Sequence, residues 1–373
     1  MSLSSLGCNS STDSADSADS AARADSAFFA EAIRQGWEAW GISSPNPAVG
    51  AVIVDAHGTI VGRGSTQAPG GKHAEIVALD EAGERARGSR AYVTLEPCNH
   101  TGRTGPCAQA LIAAGVAEVH YLFADPFPAA AGGAETLRAA GVQVVGPVWP
   151  SLADIPAWEP EASVEPWLVS VQEGRPHVTV KMASTLDGRI AAADGTSQWI
   201  TGDTARRLVH EDRSCRDAII VGTGTVAADN PRLTARFPDG TTMASERQPL
   251  RVVMGNRDLP EDAAIRGTPG QWLHVRSHDP REVLEQIARE TAGSAISVLV
   301  EGGPSIIAAF LAADLVDSIQ FYAAPAVLGN GAAAVVDPTG QLGRTIGDIK
   351  RFTPRSITPA GQDVLWTLTR GGA

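Results

Sequence analysis

The stretch that decides the fold of the first half is residues 92–114, Tyr-Val-Thr-Leu-Glu-Pro-Cys-Asn-His-Thr-Gly-Arg-Thr-Gly-Pro-Cys-Ala-Gln-Ala-Leu-Ile-Ala-Ala. Its first four residues predict a short buried strand, Tyr92–Leu95, and its last eight predict a helix, Cys107–Ala114. A strand that leads through a loop into a helix is typical of an α/β layer. Cys98 therefore follows a strand, and Cys107 opens a helix.

A histidine and a glutamate lie at a second predicted helix start, in the tripeptide His-Ala-Glu at 73–75. His73, Cys98 and Cys107 together form a zinc-ligand set that leaves the fourth position open, as catalytic zinc sites do. Zinc lowers the pKa of a bound water to about 7 and supplies hydroxide. Glu75 is then free to act as the general acid and base. His-x-Glu followed by Pro-Cys and a second Cys is the signature of zinc-dependent deaminases.

Two alternatives to a catalytic zinc site with a small substrate stay open from the residues alone. A structural zinc would need a fourth ligand, for which His100 is the candidate. Nucleic-acid deaminases of this type use Cys-x-x-Cys, whereas eight residues separate the two cysteines in this chain. The inserted residues include Arg103, which could bind a phosphate on the substrate.

Composition limits the possible partners. The chain has 373 residues, with 30 Lys and Arg against 42 Asp and Glu, a formal charge of −12. An acidic protein is a poor ligand for polyanions, so we expect neither nucleic acid nor a membrane as partner. Four scattered cysteines exclude a disulfide scaffold, and no apolar run is long enough to span a membrane. A secretory signal pattern is missing, so we expect a cytoplasmic protein.

The length suits two domains. Residues 1–26, rich in Ser, Asp and Ala, predict a disordered tail, and residues 27–150 a zinc deaminase domain. Several prolines predict a linker at 151–174, and 175–373 form the second domain. Strands that alternate with helices predict parallel pairing in both domains. In the first domain the predicted helices are Ala27–Trp40, Ala74–Arg87 and Cys107–Ala114, and the strands are Ala48–Val54, Ile60–Arg63, Tyr92–Leu95 and Val116–Phe123. In the second, the strands are His177–Met182, Ala218–Val221, Leu250–Met254, Ile296–Val300 and Ser318–Ala323, and the helices are Thr204–Arg213, Pro280–Thr291 and Pro304–Ala312.

Two glycine-containing turns follow predicted strands of the second domain. Residues 222–227 fit Gly-x-Gly-x-x-Ala, but Pro231 leaves too little room for the long helix of a Rossmann site. We interpret them as a glycine loop whose amides approach a phosphate or a nicotinamide. Glu301-Gly302-Gly303-Pro304 forms a second such turn, in which Pro304 suits the first turn of a helix.

These motifs resemble those of the bifunctional riboflavin biosynthesis deaminase–reductase family. The deaminase half is carried by His-Ala-Glu at 73–75, the Thr-Leu-Glu-Pro-Cys-Asn-His-x-Gly-Arg-Thr-x-Pro-Cys motif at 94–107, and Pro-Asn-Pro-Ala-Val-Gly at 45–50. The reductase half is carried by Lys-Met-Ala-Ser-Thr-Leu-Asp-Gly-Arg at 181–189, Ser-Gln-Trp-Ile-Thr at 197–201 and Ala-Asp-Asn-Pro-Arg-Leu-Thr-Ala-Arg at 228–236. The resemblance spans about residues 28 to 370.

The resemblance implies an α/β fold, with a cytidine-deaminase-like three-layer domain followed by a dihydrofolate-reductase-like domain that uses NADPH. It implies hydrolytic deamination of a phosphoribosylated diaminopyrimidinone, then reduction of its ribosyl group to ribityl, by a homo-oligomer (dimer or tetramer). Expected substrate contacts are Asn46, Arg103, Lys181, Ser197, Arg213, Leu233, Arg236 and Glu301. Expected NADPH contacts are Ala183, Trp199, Thr225, Asp229, Gly303 and Pro304.

Chemistry suggests particular tasks for some of these residues. Arg213 and Arg236 could clamp a 5′-phosphate with forked donors. Reduction of an opened ribose carbonyl needs an acid, for which Asp229 and Glu301 are candidates. Two positions depart from the family pattern: Phe127 replaces the usual Asn, and Thr66 replaces a frequent His. These departures leave open a protein with one active half or a deaminase for another pyrimidine. A non-catalytic zinc-stabilised module is a separate alternative.

Overall fold

The computed structural model of the protein describes residues 12–100, 105–237, 239–244 and 248–371, with side chains from Asp25 onward. The chain forms two compact units. The first consists of the described part of residues 1–38 together with Val49–Ser65 and His73–Val148. The second consists of Ala39–Ala48, Thr66–Lys72 and the chain from Trp149 onward.

The first unit contains a five-stranded mixed sheet in the order β2-β1-β3-β4-β5. Its strands are β1 Gly50–Val54, β2 Ile60–Ser65, β3 Arg90–Leu95, β4 Glu118–Phe123 and β5 Gln143–Val145. Strand β5, which the sequence analysis does not predict, pairs parallel with β4. The prediction of parallel pairing is correct for β3 with β4 but wrong for β1, which pairs antiparallel with β2 and β3. The reason is local: the short turn after Val54 joins β1 to β2 as a hairpin, whereas parallel strands need a long crossover.

Four α-helices belong to this unit: α1 Thr12–Ala39, α2 Ala74–Ala82, α3 Cys107–Ala114 and α4 Gly133–Ala139. A 3-10 turn, Gly83–Ala86, extends α2 over most of the predicted helix. Helix α2 lies very close to β2, since a Cβ atom on Gly64 would come within 2.0 Å of the Ala74 carbonyl oxygen. A glycine in the strand therefore allows the start of α2 to approach the sheet.

Helix α1 corrects the prediction of a disordered tail over residues 1–26. Residues 1–11 lie outside the described part of the chain, but Thr12 to Ser26 form the first half of α1. The alanines of this segment favour a helix. The Asp25 carboxylate accepts a 2.5 Å hydrogen bond from the Tyr92 hydroxyl on β3, and Phe29 meets the Tyr92 ring edge-on. These contacts anchor the helix in a way that composition does not reveal.

The second unit is built on an eight-stranded sheet in the order β10-β9-β8-β11-β6-β12-β15-β14. Its strands are β6 His177–Thr185, β8 Ala218–Gly222, β9 Leu250–Met254, β10 Trp272–Val275, β11 Ser297–Val300, β12 Ser318–Ala324, β14 Phe352–Ala360 and β15 Asp363–Arg370. Pairing is parallel from β10 to β12, as predicted for the strands identified there, and antiparallel from β12 to β14. A separate two-stranded sheet pairs β7 Arg189–Ala191 with β13 Ala332–Ala333.

The core of this unit is formed by apolar residues of the central strands and of the helices that cover them. The helices are α6 Asp203–Arg213, α7 Thr223–Asp229, α8 Pro280–Glu290 and α9 Pro304–Ala312. Buried residues of β6, β8, β9 and β11 pack together with those of α8 and α9. Helix α7 has only seven residues and ends at Asp229, which confirms that Pro231 excludes a Rossmann helix. The expected glycine loop is instead the first turn of this short helix.

The predicted linker at 151–174 is only partly a loop. A 3-10 turn, Leu152–Asp154, is followed by a helix, α5 Glu165–Glu173, whose first half is buried. Pro166 does not break this helix because it occupies the first turn, where proline lacks no needed hydrogen bond. The buried Glu165 carboxylate pairs with both terminal nitrogens of Arg355 on β14, at 2.8 and 2.9 Å. The segment is thereby fixed to the second unit.

Candidate active sites

The chain brings the three predicted zinc ligands together in the first unit. His73 is the residue before α2, Cys98 follows β3, and Cys107 is the first residue of α3. The His73 Nδ1 atom lies 3.5 Å from the Cys98 Sγ and 3.3 Å from the Cys107 Sγ. All three donor atoms lie within 4.8 Å of one another.

These separations fit a tetrahedral metal. Zinc bonds of about 2.0 Å to nitrogen and about 2.3 Å to sulfur place two such ligands about 3.5 Å apart at the tetrahedral angle. One imidazole and two thiolates are also a ligand set that zinc prefers. The donor set and its spacing therefore match zinc.

One of the two thiols, that of Cys98, is favoured to ionise. A hydrogen bond from the Cys107 thiol lowers the pKa of Cys98 to about 4, and the His73 ring contributes in the same direction. The shared proton raises the pKa of Cys107. The Cys107 backbone N–H also donates to the Cys98 sulfur at 3.4 Å. One thiolate is thus already stabilised by the start of α3, where the helix dipole favours negative charge.

Glu75 lies beside these ligands on the first turn of α2. Its side chain is buried, and this burial, together with the negative Cys98, raises the pKa of Glu75 to about 7. A carboxyl group with a pKa near neutrality can both accept and return a proton, as a general acid and base must. No described residue joins His73, Cys98 and Cys107 as a fourth ligand: His100 is exposed and outside the cluster.

A buried carboxylate that the sequence predictions did not single out holds the loop before Cys98 in place. Glu96 accepts hydrogen bonds from the backbone N–H groups of Ala134, at 3.0 Å, and Asp125, at 3.3 Å. A Cβ atom on Gly133 would lie 1.7 Å from the carbonyl oxygen of the residue before Cys98. The start of α4 is therefore pressed against the ligand loop. The signal in the sequence that could have revealed it is a glutamate at the end of a buried strand, in Glu-Pro-Cys.

Three other residues are expected near the deaminase substrate, and the structure does not bring them together in one place. Arg103 lies outside the described residues. Asn46 belongs to the second unit, where its backbone N–H donates to the Ser43 carbonyl at 2.8 Å. Phe127, one of the departures from the family pattern, is 49% exposed, in a turn in which its N–H donates to Asp125. Their roles in binding substrate stay predictions.

The second unit contains a cleft at the carboxyl ends of three adjacent parallel strands, β8, β11 and β6. Binding sites of α/β sheets characteristically lie at this edge. The cleft comprises three cavities, of about 470, 170 and 470 Å³. Thr225 and Asp229 line all three, so the cavities share a wall. The volumes and the shared wall fit an extended cofactor beside a substrate.

The first cavity holds all six of the substrate contacts expected for the reductase step. They are Lys181, Ser197, Arg213, Leu233, Arg236 and Glu301. Leu233 adopts a left-handed backbone conformation with φ of 54°, which is unusual for leucine. Of the expected NADPH contacts, Gly303 and Pro304 line the second and third cavities, and Ala183 lines the first and second. Trp199 lines only the first, where its ring stacks on the Arg206 guanidinium at 4.2 Å.

The sequence analysis expects Arg213 to bind a substrate phosphate, but in the structure its side chain is already paired with Glu301. Its Nε and Nη2 atoms donate to the two oxygens of Glu301, at 2.6 and 2.8 Å. Both side chains are shielded, Arg213 at 14% and Glu301 at 7% exposure, so solvent weakens this fork little. Burial alone would raise the pKa of Glu301, but Arg213 outweighs it and lowers the pKa. Glu301 is therefore held as a carboxylate, which disfavours it as the acid of the reductase.

Two further polar side chains complete the first cavity. Burial lowers the pKa of Lys181, whose Nζ lies 5.9 Å from the Tyr322 ring centroid and interacts with Glu301. His210, which the sequence analysis did not identify, stands one turn before Arg213 on α6. Its Nδ1 lies 3.1 Å from the Thr234 carbonyl oxygen, which assigns the donor proton to Nδ1, and burial lowers the pKa of this ring. The helical spacing of three from Arg213 could have revealed it.

Comparison with known proteins finds a family match for each half of the chain. Residues 22–123 match the cytidine and deoxycytidylate deaminase zinc-binding region, and residues 176–366 match the RibD C-terminal domain. The riboflavin biosynthesis protein RibD of Corynebacterium ammoniagenes is 48% identical over 332 residues, which cover 89% of this chain and 94% of that protein.

Solved structures are similar over nearly the whole length. RibD of Acinetobacter baumannii is 33% identical, with a TM-score of 0.74 over 94% of this chain and 99% of that chain. The diaminohydroxyphosphoribosylaminopyrimidine deaminase/5-amino-6-(5-phosphoribosylamino)uracil reductase of Thermotoga maritima is 28% identical, with a TM-score of 0.73 over 93% of this chain and 99% of that chain.

The two sites and these matches define a bifunctional enzyme, with a zinc-binding deaminase domain followed by a reductase domain of a type that uses NADPH. The chain belongs to the RibD family of riboflavin biosynthesis proteins. The predicted fold class, the paired activities and the two cofactors are thereby confirmed. No described helix is both long and apolar enough to span a bilayer.

Proposed function

We propose that this chain deaminates 2,5-diamino-6-(5-phosphoribosylamino)pyrimidin-4-one and then reduces the ribosyl group of the product to ribityl. The observation that carries the proposal is the three-donor cluster of His73, Cys98 and Cys107 with the buried Glu75 beside it. A cleft with a paired Arg213 and Glu301 in the second unit supports the reductive step. The Thermotoga maritima relative carries both activities in its name.

In the first step, His73, Cys98 and Cys107 would hold zinc, which when bound makes a water ligand acidic enough to ionise near neutral pH. Glu75 accepts a proton from the attacking water and delivers it to the departing amino group. Its pKa of about 7 suits both transfers. Asn46 and Arg103 are proposed as contacts to the substrate, Arg103 through its phosphate.

In the second step, NADPH when bound supplies a hydride to the opened ribose. Lys181 and Arg236 offer positive charge to the substrate phosphate, and the Arg213–Glu301 pair orients the polar chain of the sugar. Asp229 is the remaining carboxylate of the two candidates for the proton donor, because Glu301 is held ionised by Arg213. The other proposed contacts are Ser197 and Leu233 for the substrate, and Ala183, Trp199, Thr225, Gly303 and Pro304 for NADPH.

Replacement of Glu75 by Gln tests the first step. We expect ammonia release to fall by a factor of about 10²–10⁴, because the amide cannot transfer the proton, while zinc stays bound at one equivalent. The measurements are an ammonia assay and metal analysis of the same preparation. Glu84→Gln, an exposed carboxylate beyond the end of α2, is the matched control. Full deamination by Glu75→Gln would contradict the assigned role.

We further infer a cytoplasmic homo-oligomer, either a dimer or a tetramer, that acts on a small molecule rather than on nucleic acid. The formal charge of the chain, −12, supports a small-molecule substrate rather than nucleic acid. Light scattering on the purified chain reports the oligomeric state, and a monomer would refute that part of the proposal.

A further inference from the structure

Residues 232–236, termed the substrate loop, run between α7 and β9 outside the helices and strands. Two of its residues, Leu233 and Arg236, line the first cavity. The backbone of Leu233 has a left-handed φ of 54°, a conformation that persists only where the surrounding structure fixes it. The residues that hold this loop therefore determine where Leu233 and Arg236 meet a ligand.

Gln248, two residues before β9, pairs with the backbone of the substrate loop. Its Oε1 accepts the N–H of Ala235 at 2.8 Å, and its Nε2 donates to the Ala235 carbonyl oxygen at 3.1 Å. No other described residue accepts this N–H. Because Ala235 is fully buried, removal of the Gln248 amide would leave the N–H without a partner, which costs more than the bond itself contributes. Gln248 therefore favours a single conformation of the loop.

Arg251, on β9, holds the same loop from the interior. Its side chain is fully buried and pairs with no carboxylate among the described residues. Its guanidinium instead donates to five backbone carbonyl oxygens, as many as it has N–H groups. Four belong to residues 265–271, and the fifth, 3.2 Å from Nη1, belongs to Arg232. Movement of that carbonyl would leave part of a buried charge unsolvated, so Arg251 fixes the residue before Leu233.

The cavity side of the loop is held by residues that belong to the site itself. His210 Nδ1 and Arg213 Nη1 lie 3.1 and 3.4 Å from the Thr234 carbonyl oxygen. Both residues line the first cavity, so a substitution there would change the cavity directly. Neither Gln248 nor Arg251 is among the described residues that line the three cavities. A change at these two positions can therefore reach the substrate only through the loop.

We propose that Gln248 and Arg251 are positioning residues of the reductase. They hold the substrate loop in the conformation in which Leu233 and Arg236 face the substrate. The inference rests on the proposed reductase function and adds to it two residues that control substrate affinity without contacting the substrate. None of the proposed NADPH contacts belongs to this loop, so its displacement weakens the binding of substrate and leaves the binding of cofactor unchanged.

The test is steady-state oxidation of NADPH by the full-length protein, given the deaminated intermediate, with each KM measured at saturation of the other reactant. We expect Gln248→Leu to raise the KM for the intermediate by about 10-fold, and to change kcat and the KM for NADPH by less than about 3-fold. A loss of folded protein alone would lower kcat and leave both KM values unchanged. Arg251→Lys, which keeps the buried charge but has fewer donors, should raise the same KM.

Hydrogen exchange gives a second readout that does not depend on activity. The Ala235 amide loses its acceptor in Gln248→Leu, so we expect a peptide that contains this amide to exchange about 10-fold faster. Exchange at the unmodified rate would show that Gln248 does not hold the loop, and would overturn the inference.

Each variant has a matched control outside the loop. Gln286→Leu removes a half-buried amide from α8, where the side chain bonds only to neighbours on its own helix. Arg266→Lys changes a guanidinium that also donates to two backbone carbonyl oxygens, neither of them in the substrate loop. Both controls should keep the KM values of the unmodified protein.

An unchanged KM for the intermediate in Gln248→Leu, or equal shifts in both KM values, would overturn the inference while leaving the reductase function intact. If the unmodified protein oxidised no NADPH with the intermediate, the proposed reductase function itself would fail, and the inference with it.

Discussion

At the scale of single residues, the fold places ionisable side chains where burial changes their chemistry. Glu75 and Glu301 are both shielded carboxylates, yet the pKa of Glu75 is raised to about 7 and that of Glu301 is lowered. The difference comes from the neighbours: Glu75 faces the negative Cys98, whereas Glu301 faces Arg213. One carboxylate is thereby suited to proton transfer and the other to holding a cation.

His177, at the start of β6, gives a prediction about pH. Burial lowers its pKa from 6.5 to about 4, its Nε2 lies 3.1 Å from the Ser318 hydroxyl, and its Nδ1 has no partner among the described residues. The unfolded chain binds a proton on this ring below pH 6.5, but the folded chain does not until about pH 4. Above pH 6.5 this ring therefore does not reduce the free energy of unfolding. As the pH falls from 6.5 to about 4, it reduces the free energy of unfolding by about 3 kcal/mol in total.

We expect His177→Gln to lose less stability than the unmodified protein between pH 6.5 and 4.5. Urea denaturation at several pH values measures the difference, in which the titration of all other groups cancels. Its matched control is His57→Gln, at an exposed position, which should keep the slope of the unmodified protein. Parallel stability curves for His177→Gln and the unmodified protein would show that the ring titrates equally in both states.

At the scale of elements, the zinc site depends on how closely two helices approach the sheet and its loops. The residue His73 is fixed by α2, and the loop with Cys98 is fixed by α4, because Gly133 leaves no space for a side chain. Glu96 adds two hydrogen bonds to the same loop. The ligands are therefore positioned by backbone packing as well as by their own side chains.

Gly133→Ala is expected to disturb this loop. The new methyl group would lie 1.7 Å from the carbonyl oxygen of Pro97, so α4 must shift, at a cost of about 1–3 kcal/mol. We expect a lower Tm and faster zinc loss to a chelator. Gly105→Ala is the control near the same site, since among the described residues nothing beyond its own chain neighbours lies within 4 Å of the added carbon. Unchanged zinc retention in Gly133→Ala would show that the loop does not depend on this approach.

Sequence patterns identified the elements that carry chemistry better than those that only complete the sheets. Helix α3 begins and ends where its apolar spacing predicts, and β9 does as well. The C-terminal hairpin, β14 and β15, went unpredicted, because Pro354 and Pro359 disfavour a strand and are tolerated only at a sheet edge. Helix α5 was not predicted, because prolines usually interrupt a helix, whereas Pro166 lies in the first turn of this one.

The sequence predicts which residues belong to each site, but it does not predict which side chains pair with one another. His73, Cys98 and Cys107 were found by their motif, and the structure brings them within 4.8 Å of one another. The fork between Arg213 and Glu301 joins residues 88 positions apart, which no local spacing reveals.

At the scale of the whole molecule, the two chemical steps belong to two compact units, each with its own sheet. The zinc ligands and Glu75 lie in the first unit. All three cavities of the reductase cleft are lined by residues of the second. We therefore expect each half-reaction to survive a substitution that stops the other.

Two variants test this separation. Glu75→Gln should consume NADPH when given the deaminated intermediate, and Lys181→Met should release ammonia but consume no NADPH. An equimolar mixture of the two should convert the diaminopyrimidine substrate to the ribityl product, as followed by chromatography. Each variant alone is the control for the mixture. Failure of the mixture, with both half-reactions intact, would contradict independent action of the units.

The wall that Thr225 and Asp229 share among three cavities has a consequence for inhibitor design. A bisubstrate compound, with an adenosine phosphate tethered to a sugar-phosphate mimic, could fill adjoining chambers without leaving the cleft. Tethering raises the local concentration of the second half to the millimolar range, so two weak fragments would add up to tight inhibition. Such a ligand would exploit the continuity of the cleft rather than any single contact.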